Sequence, residues 1–139
     1  MKDLSILHPV FAQVALTFVM LFWMAKERYQ ALTSGAVKVP ADGQRPEWMG
    51  RVAQVSNAYQ NQLEMPVLFY AVVALALIAG VVDGTFVALA WAFVAFRALQ
   101  AVVHATYNYI PHRFLAFLAS NIVLIAMWVM LALRTAAGT

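Results

Sequence analysis

Four segments of this sequence are long enough and apolar enough to cross a lipid bilayer. Three of them contain no Asp, Glu, Lys or Arg: Leu4–Ala25, Met65–Val82 and Phe114–Leu133. The fourth, Thr85–Ile110, contains one charged residue, Arg97. A helix needs about 20 residues to span the hydrocarbon core, and lipid offers no hydrogen-bond partner to irregular backbone. We therefore predict an all-α integral membrane four-helix bundle.

The composition agrees with this class and excludes several others. The chain is 64% hydrophobic and 11% charged, which is too apolar for a soluble domain of 139 residues. It has no cysteine, so it contains no disulfide, thiolate metal site or cysteine nucleophile. His8, His104 and His112 lack the spacing of metal ligands, and we predict no metal site. Nothing in the charge pattern indicates binding to nucleic acid.

The connections between the segments differ in length. Asp83-Gly84 forms a tight turn, so spans two and three must be antiparallel neighbours, and Pro111-His112 separates spans three and four almost as closely. The first connection, from Lys26 to about Trp48, is a long polar loop interrupted by glycine and proline. We predict a single domain, 1–139, with spans at about 4–26, 52–82, 85–110 and 113–134.

Basic residues are concentrated on one side of the predicted bundle. Only Lys2 and Arg134 lie on the side of the termini, whereas six lie on the side of the first and third loops: Lys26, Arg28, Lys38, Arg45, Arg51 and Arg113. Lysine and arginine near the ends of spans mark the cytoplasmic side. We therefore expect a cytoplasmic first loop and two non-cytoplasmic termini.

Two stripes of polar residues enter the membrane on spans two and three. One consists of Gln54, Asn57, Asn61 and Glu64, and the other of Arg97, Gln100, His104, Tyr107 and Asn108. Their spacings of three and four place the residues of each stripe on one helix face. An ionisable group inside a membrane costs about 2.5 to 3.5 kcal/mol, so it normally has a partner, a ligand or a wet cavity. The facing stripes predict a buried site.

The depth of this site follows from the geometry of a helix, which rises by about 1.5 Å per residue. Counted from Asp83, Glu64 and His104 both lie about 28 Å along their helices, near the cytoplasmic interface, and Arg97 lies roughly 10 Å deeper. Pro66 removes one backbone donor just after Glu64, so we expect a kink or a wetted bend there. The predicted site opens to the cytoplasm and extends inward.

Each of these residues also has a purely structural interpretation. Arg113 directly follows a turn on the positive side and is a candidate topology anchor. Glu64 and Arg97 are candidates to pair with each other or with a neighbouring helix. His104 suits a hydrogen-bonded packing role, and Tyr107 suits an interfacial aromatic belt.

The motifs of spans two and three resemble those of a known family. Residues 61–70 read Asn-Gln-Leu-Glu-Met-Pro-Val-Leu-Phe-Tyr, and they are followed by Phe96-Arg97-Ala98-Leu99, by 104–108 (His-Ala-Thr-Tyr-Asn) and by Arg113-Phe114. Together with the length, the four spans and the long basic first loop, these residues resemble a bacterial member of the MAPEG family, the membrane-associated proteins in eicosanoid and glutathione metabolism. The resemblance extends over nearly the whole chain.

This resemblance implies a homotrimer in a bacterial inner membrane, with glutathione sites between subunits that open to the cytoplasm. Asn61 and Glu64 match the pair of span two that contacts glutathione, and Arg97 matches the arginine of span three. Arg113 matches the arginine associated with thiolate stabilisation. Arg51 and Tyr107 also match site positions of the family, Arg51 in glutathione binding and Tyr107 in catalysis. By its chemistry, Tyr107 or His104 is a candidate to donate a hydrogen bond to sulfur or to the developing product, and we include His104 among the residues that bind glutathione.

The sequence also departs from the family pattern. Relatives in the eicosanoid-forming branches carry an arginine four residues before the motif asparagine, where this chain has Asn57, and their spacing between the glutamate and the proline is longer. Asn57 therefore occupies a cofactor-binding position with a different side chain. These departures weaken a predicted clamp on a carboxylate of glutathione.

Three functional hypotheses follow from these observations. The first is a glutathione-dependent transferase or peroxidase that acts on lipophilic electrophiles dissolved in the bilayer. Its active thiolate would be stabilised by Arg113 at a subunit interface. The second is a non-catalytic protein of the same scaffold that binds another anionic or lipid ligand. The third is a small proton-coupled exporter, which is disfavoured because span one has no acidic residue.

Overall fold

The computed structural model describes residues 4–138, and within this range it is helical apart from turns and loops. A short 3₁₀ turn at Leu4–Ile6 leads into five α-helices: α1 (Leu7–Thr33), α2 (Gly50–Asn61), α3 (Met65–Ala79), α4 (Gly84–Ala105) and α5 (Ile110–Ala137). The described range contains no β-strand. The all-α prediction is confirmed.

The helices form four stretches that are long and apolar enough to cross a membrane: Leu4–Thr33, Gly50–Ala79, Gly84–Ala105 and Ile110–Ala137. The second consists of α2 and α3 together. This organisation confirms an integral, multi-pass membrane protein with four spans. Lys2, one of the residues used to predict orientation, lies outside the described range.

The second span is interrupted between α2 and α3. Residues 62–64 leave the helical path, Glu64 has φ −90° and ψ −92°, and Pro66 lies in the first turn of α3. Proline lacks the N–H that would continue the helix, and its ring clashes with the carbonyl four residues earlier. The bend expected beside Glu64 is thus a full interruption of the span.

The interior consists of two apolar clusters with polar side chains between them. The cluster towards the termini contains Phe69 and Phe93, whose rings stack at 4.5 Å, and the other contains Met20, Val55 and Ala101. The buried polar side chains come from all four spans: Gln13, Ser56, Gln62, Arg97, Gln100, His104 and Ser120. The interruption of span two lies in this polar region.

Specific contacts fix the turn between α3 and α4. Gly80 ends α3 with φ +69°, a left-handed conformation that glycine adopts without steric cost. Asp83 caps α4 by accepting a hydrogen bond from the Phe86 amide at 2.9 Å. Arg134 of α5 donates to the Asp83 carboxylate at 2.9 Å and to the carbonyl of Val81 at 2.8 Å. The end of α5 is therefore attached to this turn.

Candidate functional site

Side chains of α2 bind the carbonyl groups at the end of α4. Arg51 Nη1 donates to the carbonyl of Ala105 at 2.8 Å, and Gln54 Nε2 donates to those of His104 and Thr106 at 2.8 and 2.7 Å. The last carbonyls of a helix have no partner within the helix, so these bonds satisfy groups that would otherwise need water. They fix α4 against α2 at the predicted cytoplasmic level.

Arg97 of α4 binds the end of α2 in return. Its Nη2 donates to the carbonyl of Asn61, and its guanidinium carbon lies 5.9 Å from the centre of the Phe117 ring. The side chain is 0% exposed, and its Nε and Nη1 have no hydrogen-bond partner in the described structure. No ion pair joins Arg97 to Glu64 within residues 4–138. The hydrogen-bond partner of Arg97 is therefore the backbone carbonyl of Asn61 and not the Glu64 carboxylate.

The side chains of Asn61 and His104 meet above this contact. Asn61 Nδ2 lies 3.2 Å from His104 Nδ1. An amide nitrogen can only donate, so Nδ1 accepts and the proton of a neutral imidazole lies on Nε2. His104 is 5% exposed. It therefore presents a single N–H donor.

Asn61 and His104 line a pocket of about 370 Å³ between α2, α4 and α5. Four residues predicted for the site come together here: Asn57, Asn61, His104 and Arg113. The wall is completed by Gln100, Ile110, Phe114 and Phe117. Arg97 lies behind this wall, against Asn61 and Phe117. The pocket lining thus combines amides from α2 and α4 and the imidazole of α4 with a guanidinium and two aromatic rings from α5.

Arg113 is held in place by the turn that precedes α5. Its Nη1 donates to Asn108 Oδ1 at 3.0 Å. Asn108 has φ +49°, a left-handed conformation that asparagine tolerates better than most residues. Its backbone N–H donates to the carbonyl of Val103 at 2.8 Å. The side-chain amide of Asn108 is uncharged, so it anchors the guanidinium of Arg113 without neutralising its positive charge. Arg113 therefore keeps its charge available for an anionic group in the pocket.

Besides Arg97, three residues predicted for the site do not line this pocket. Arg51 lies beside Glu27, 3.7 Å away, and over the Trp23 ring. Glu64 is exposed at the interruption of span two. Tyr107 contacts His112 Nδ1 at 3.1 Å and lines a separate, largely apolar cleft between α4 and α5. Within one chain, these three residues are separated from Arg113.

Some pocket residues were not among the predicted site residues. Gln100 is 2% exposed and its Oε1 has no partner in the described structure. Its place in the stripe between Arg97 and His104 was the available signal. Phe114 and Phe117 lie in an uncharged run, where nothing distinguishes a pocket residue from one that faces lipid.

The pocket is suited to a ligand with a negatively charged group and an apolar part. Arg113 offers a cation, His104 an N–H donor, and the amides of Asn57, Asn61 and Gln100 offer donors and acceptors. No group of three or more histidine, aspartate and glutamate residues in the described range is placed to hold a metal ion. The groups that line the pocket supply hydrogen bonds and a positive charge.

Comparison with protein families gives a match over nearly the whole chain. A family model described as the MAPEG family matches residues 6–133. Among curated proteins none matches the chain, and among solved structures none does either.

Proposed function

Because the chain belongs to the MAPEG family, we propose that it is a membrane-bound glutathione-dependent transferase or peroxidase that acts on lipophilic electrophiles. The family includes such enzymes as well as non-catalytic members. The observation that carries the proposal is the pocket in which Arg113, anchored by Asn108, faces the same space as His104 and Asn61.

Arg113 has the chemistry that a thiol co-substrate requires. A free thiol has a pKa near 8.5, so it is mostly protonated at neutral pH, and only the thiolate is a good nucleophile. A guanidinium does not lose its proton in a protein and lowers the pKa of an adjacent thiol. In the proposed mechanism Arg113 stabilises the thiolate of glutathione, and His104 Nε2 donates a hydrogen bond to sulfur or to a charge that develops on the product.

The other polar groups would bind the rest of glutathione. The tripeptide has two carboxylates and an ammonium group, so it needs both donors and acceptors. Asn57, Asn61 and Gln100 supply amides of both kinds within the pocket. Arg97, bound to the Asn61 carbonyl, would hold Asn61 in place rather than contact the ligand. The aromatic wall would admit an electrophile from the bilayer.

We propose that a homotrimer completes the site. Arg51, Glu64 and Tyr107 match family positions but do not line the pocket of a single chain. Glu64 and Tyr107 are exposed, and a neighbouring subunit offers a way to bring them to a pocket. In this arrangement Glu64 would bind the ammonium group of glutathione, and Tyr107 would assist at sulfur.

The proposal is tested by following the thiolate and the reaction together. Glutathione is added to the purified oligomer, and the ultraviolet thiolate band and conjugation to a chlorinated aromatic electrophile are recorded for wild type, Arg113→Ala and Lys26→Ala. We expect Arg113→Ala to raise the pKa of the bound thiol by about 1 to 3 units and to slow conjugation at neutral pH by tenfold or more. Lys26→Ala removes an exposed charge outside the pocket and should behave as wild type.

Two results would contradict this proposal. A wild-type protein with neither thiolate band nor turnover would exclude catalysis with this thiol. A thiolate band and turnover that persist in Arg113→Ala would show that another group stabilises the sulfur.

One observation favours a second function, a non-catalytic MAPEG-like protein that binds another anionic or lipid ligand. Asn57 lines the pocket at the position where eicosanoid-forming relatives carry an arginine. A neutral amide binds a carboxylate less strongly than a bidentate guanidinium does. Asn57→Arg separates the two functions: glutathione binding that strengthens about tenfold while turnover stays absent would favour the non-catalytic protein.

A further inference from the structure

A second cavity lies beside the pocket of Arg113 and shares the α2 residue Asn57 with it. It encloses about 560 Å³ between α1, the long first loop and α2. Two arginines, Arg28 of α1 and Arg45 of the loop, line it together with Trp48, Ser56 and the apolar side chain of Met24. None of these residues has a role in the function proposed above.

Arg28 is fixed in the cavity by contacts that leave part of its guanidinium unused. Its Nε donates to Ser56 Oγ at 3.1 Å, and the group lies over the Trp48 ring, 4.9 Å from the ring centre. In residues 4–138, neither Nη atom of Arg28 makes a hydrogen bond. The bond from Nε to Ser56 and the stacking on Trp48 thus orient the Arg28 side chain. Its two Nη groups remain available to donate to a ligand.

Neither arginine of this cavity forms an ion pair within residues 4–138. The ion pairs of the described structure join Arg51 to Glu27 and Arg134 to Asp83, and neither Arg28 nor Arg45 takes part in one. Two guanidinium groups that share a cavity repel each other unless an anion lies between them. Such a pair of guanidinium forks is suited to the oxygens of a phosphate group.

The depth of the cavity matches the layer of lipid phosphates. The uncharged run Leu4–Ala25 corresponds to about 33 Å of helix, which matches the hydrocarbon core of a bilayer. Arg28 lies about 4.5 Å beyond the end of this run, and the headgroup layer is about 5 to 7 Å thick on each side. Next to the cavity, Tyr29 and Met49 are 69% and 74% exposed, as expected where a protein surface meets lipid.

We propose that this cavity binds the phosphodiester headgroup of an anionic phospholipid. Arg28 and Arg45 bind the phosphate oxygens, Trp48 stacks on Arg28 at the interface, and the apolar side chain of Met24 contacts the start of an acyl chain. This cavity shares one lining residue, Asn57, with the proposed glutathione pocket, and its two arginines line only this cavity.

Lipid binding to the purified full-length protein tests the proposal. Phosphatidylglycerol and phosphatidylcholine are titrated separately in detergent, and bound lipid is counted by native mass spectrometry. The choline lipid carries the same phosphodiester, but its own cation compensates the charge. We expect phosphatidylglycerol to bind about tenfold more tightly, and Arg45→Gln to abolish this preference. Arg45 lies on an exposed part of the loop, so its replacement should leave the fold intact, whereas Arg28→Lys tests the Ser56-held geometry with the charge retained.

Lys38→Gln is the matched control, because it removes one exposed positive charge from the same loop outside the cavity. It should change binding by less than about twofold, since screening weakens distant surface charges. If Lys38→Gln and Arg45→Gln weaken the binding of phosphatidylglycerol equally, the lipid is attracted by the charge of the whole surface, and the proposed site is wrong. Inorganic phosphate that displaces the lipid at equal concentration would overturn the lipid assignment in favour of a free anion. Displacement by glutathione would overturn it by making the cavity part of the thiol site.

Discussion

Arg97 shows how a single side chain in a membrane span can hold a second helix in position. Its charge lies against the carbonyl of Asn61, where the interruption of α2 and α3 leaves a backbone acceptor without a helical partner. Asn61 in turn contacts His104 in the pocket. The buried charge therefore acts through backbone geometry, and its effect on the site passes through Asn61.

Replacing Arg97 by methionine should release the end of α2 while the four spans remain folded. The variant leaves the Asn61 carbonyl unpaired, which costs about 1 to 3 kcal/mol locally. Exchange of the amide hydrogens of residues 62–65 and 67 should become roughly 5- to 150-fold faster, with little change in the centre of α5. Gln100→Leu is the control, because Gln100 is buried nearby but does not bind this carbonyl. Unchanged exchange in the methionine variant would show that the interruption is held by other contacts.

At the scale of elements, side chains of one helix donate hydrogen bonds to the backbone carbonyls at the end of another. Arg51 and Gln54 of α2 bind the last carbonyls of α4, and Arg97 of α4 binds the last carbonyl of α2. At the opposite membrane face, Arg134 of α5 joins the turn between α3 and α4 through Asp83. Helix ends are where backbone groups lack partners, so polar side chains placed there align neighbouring spans.

The contact at Asp83 should make stability depend on acid pH. The hydrogen bond from Arg134 and, next, that from the Phe86 amide lower the pKa of Asp83 below its ordinary value of 3.8. Because the folded pKa lies below the unfolded one, the contribution to stability is complete above 3.8 and is lost as the pH falls through the folded pKa. Thermal unfolding followed from neutral pH to about pH 3 should show a shallower decline in Asp83→Asn than in wild type.

Glu47→Gln, which removes an exposed loop carboxylate, provides the comparison for this pH dependence. It should retain the wild-type decline at acid pH. If Asp83→Asn and wild type lose stability in parallel, the contact with Arg134 contributes nothing to the acid sensitivity.

At the scale of the whole molecule, the polar interior is concentrated between two apolar clusters and the basic residues lie mainly towards one membrane face. Side chains of α2 line both the pocket of Arg113 and the cavity of Arg28 and Arg45 on that face. If this face is cytoplasmic, both sites meet the solution that contains reduced glutathione and the leaflet surface that attracts basic residues. Orientation in the membrane therefore decides which ligands can reach either site.

The absence of cysteine from the chain allows a direct test of orientation with single-cysteine variants. Gln44→Cys places a thiol in the long first loop, and Gly138→Cys places one after α5, where an added Cβ meets its nearest atom at 3.5 Å. We expect a membrane-impermeant maleimide to label Gly138→Cys in intact cells and Gln44→Cys only after permeabilisation, as the distribution of basic residues predicts. The reverse pattern would place the first loop and both sites on the outside.

Much of the fold follows from the sequence, because a bilayer admits few solutions for long apolar segments. Uncharged runs of about 20 residues dictate helices, and the short turn at Asp83 makes spans two and three neighbours. The second predicted turn was misplaced: Pro111 and His112 lie in the first turn of α5, where proline is tolerated, and residues 106–109 form the connection. The interruption of span two was also indicated, since Pro66 cannot continue a helix. The candidate site was harder to predict from the sequence. Steps of three and four placed Asn57, Asn61 and His104 on the facing polar stripes, and these residues line one pocket. The same steps also included Tyr107, which lies in another cleft.

The sequence by itself therefore determined the number of spans, the polar faces and the family resemblance, since these depend on local hydrophobicity, helical periodicity and short motifs. Only the tertiary structure decided that Arg97 binds a carbonyl, that Arg113 is held by Asn108, and that Phe114 and Phe117 close the pocket. Those outcomes depend on which side chains meet across helices, and periodicity along one helix carries no information about the rotation and height of its neighbours.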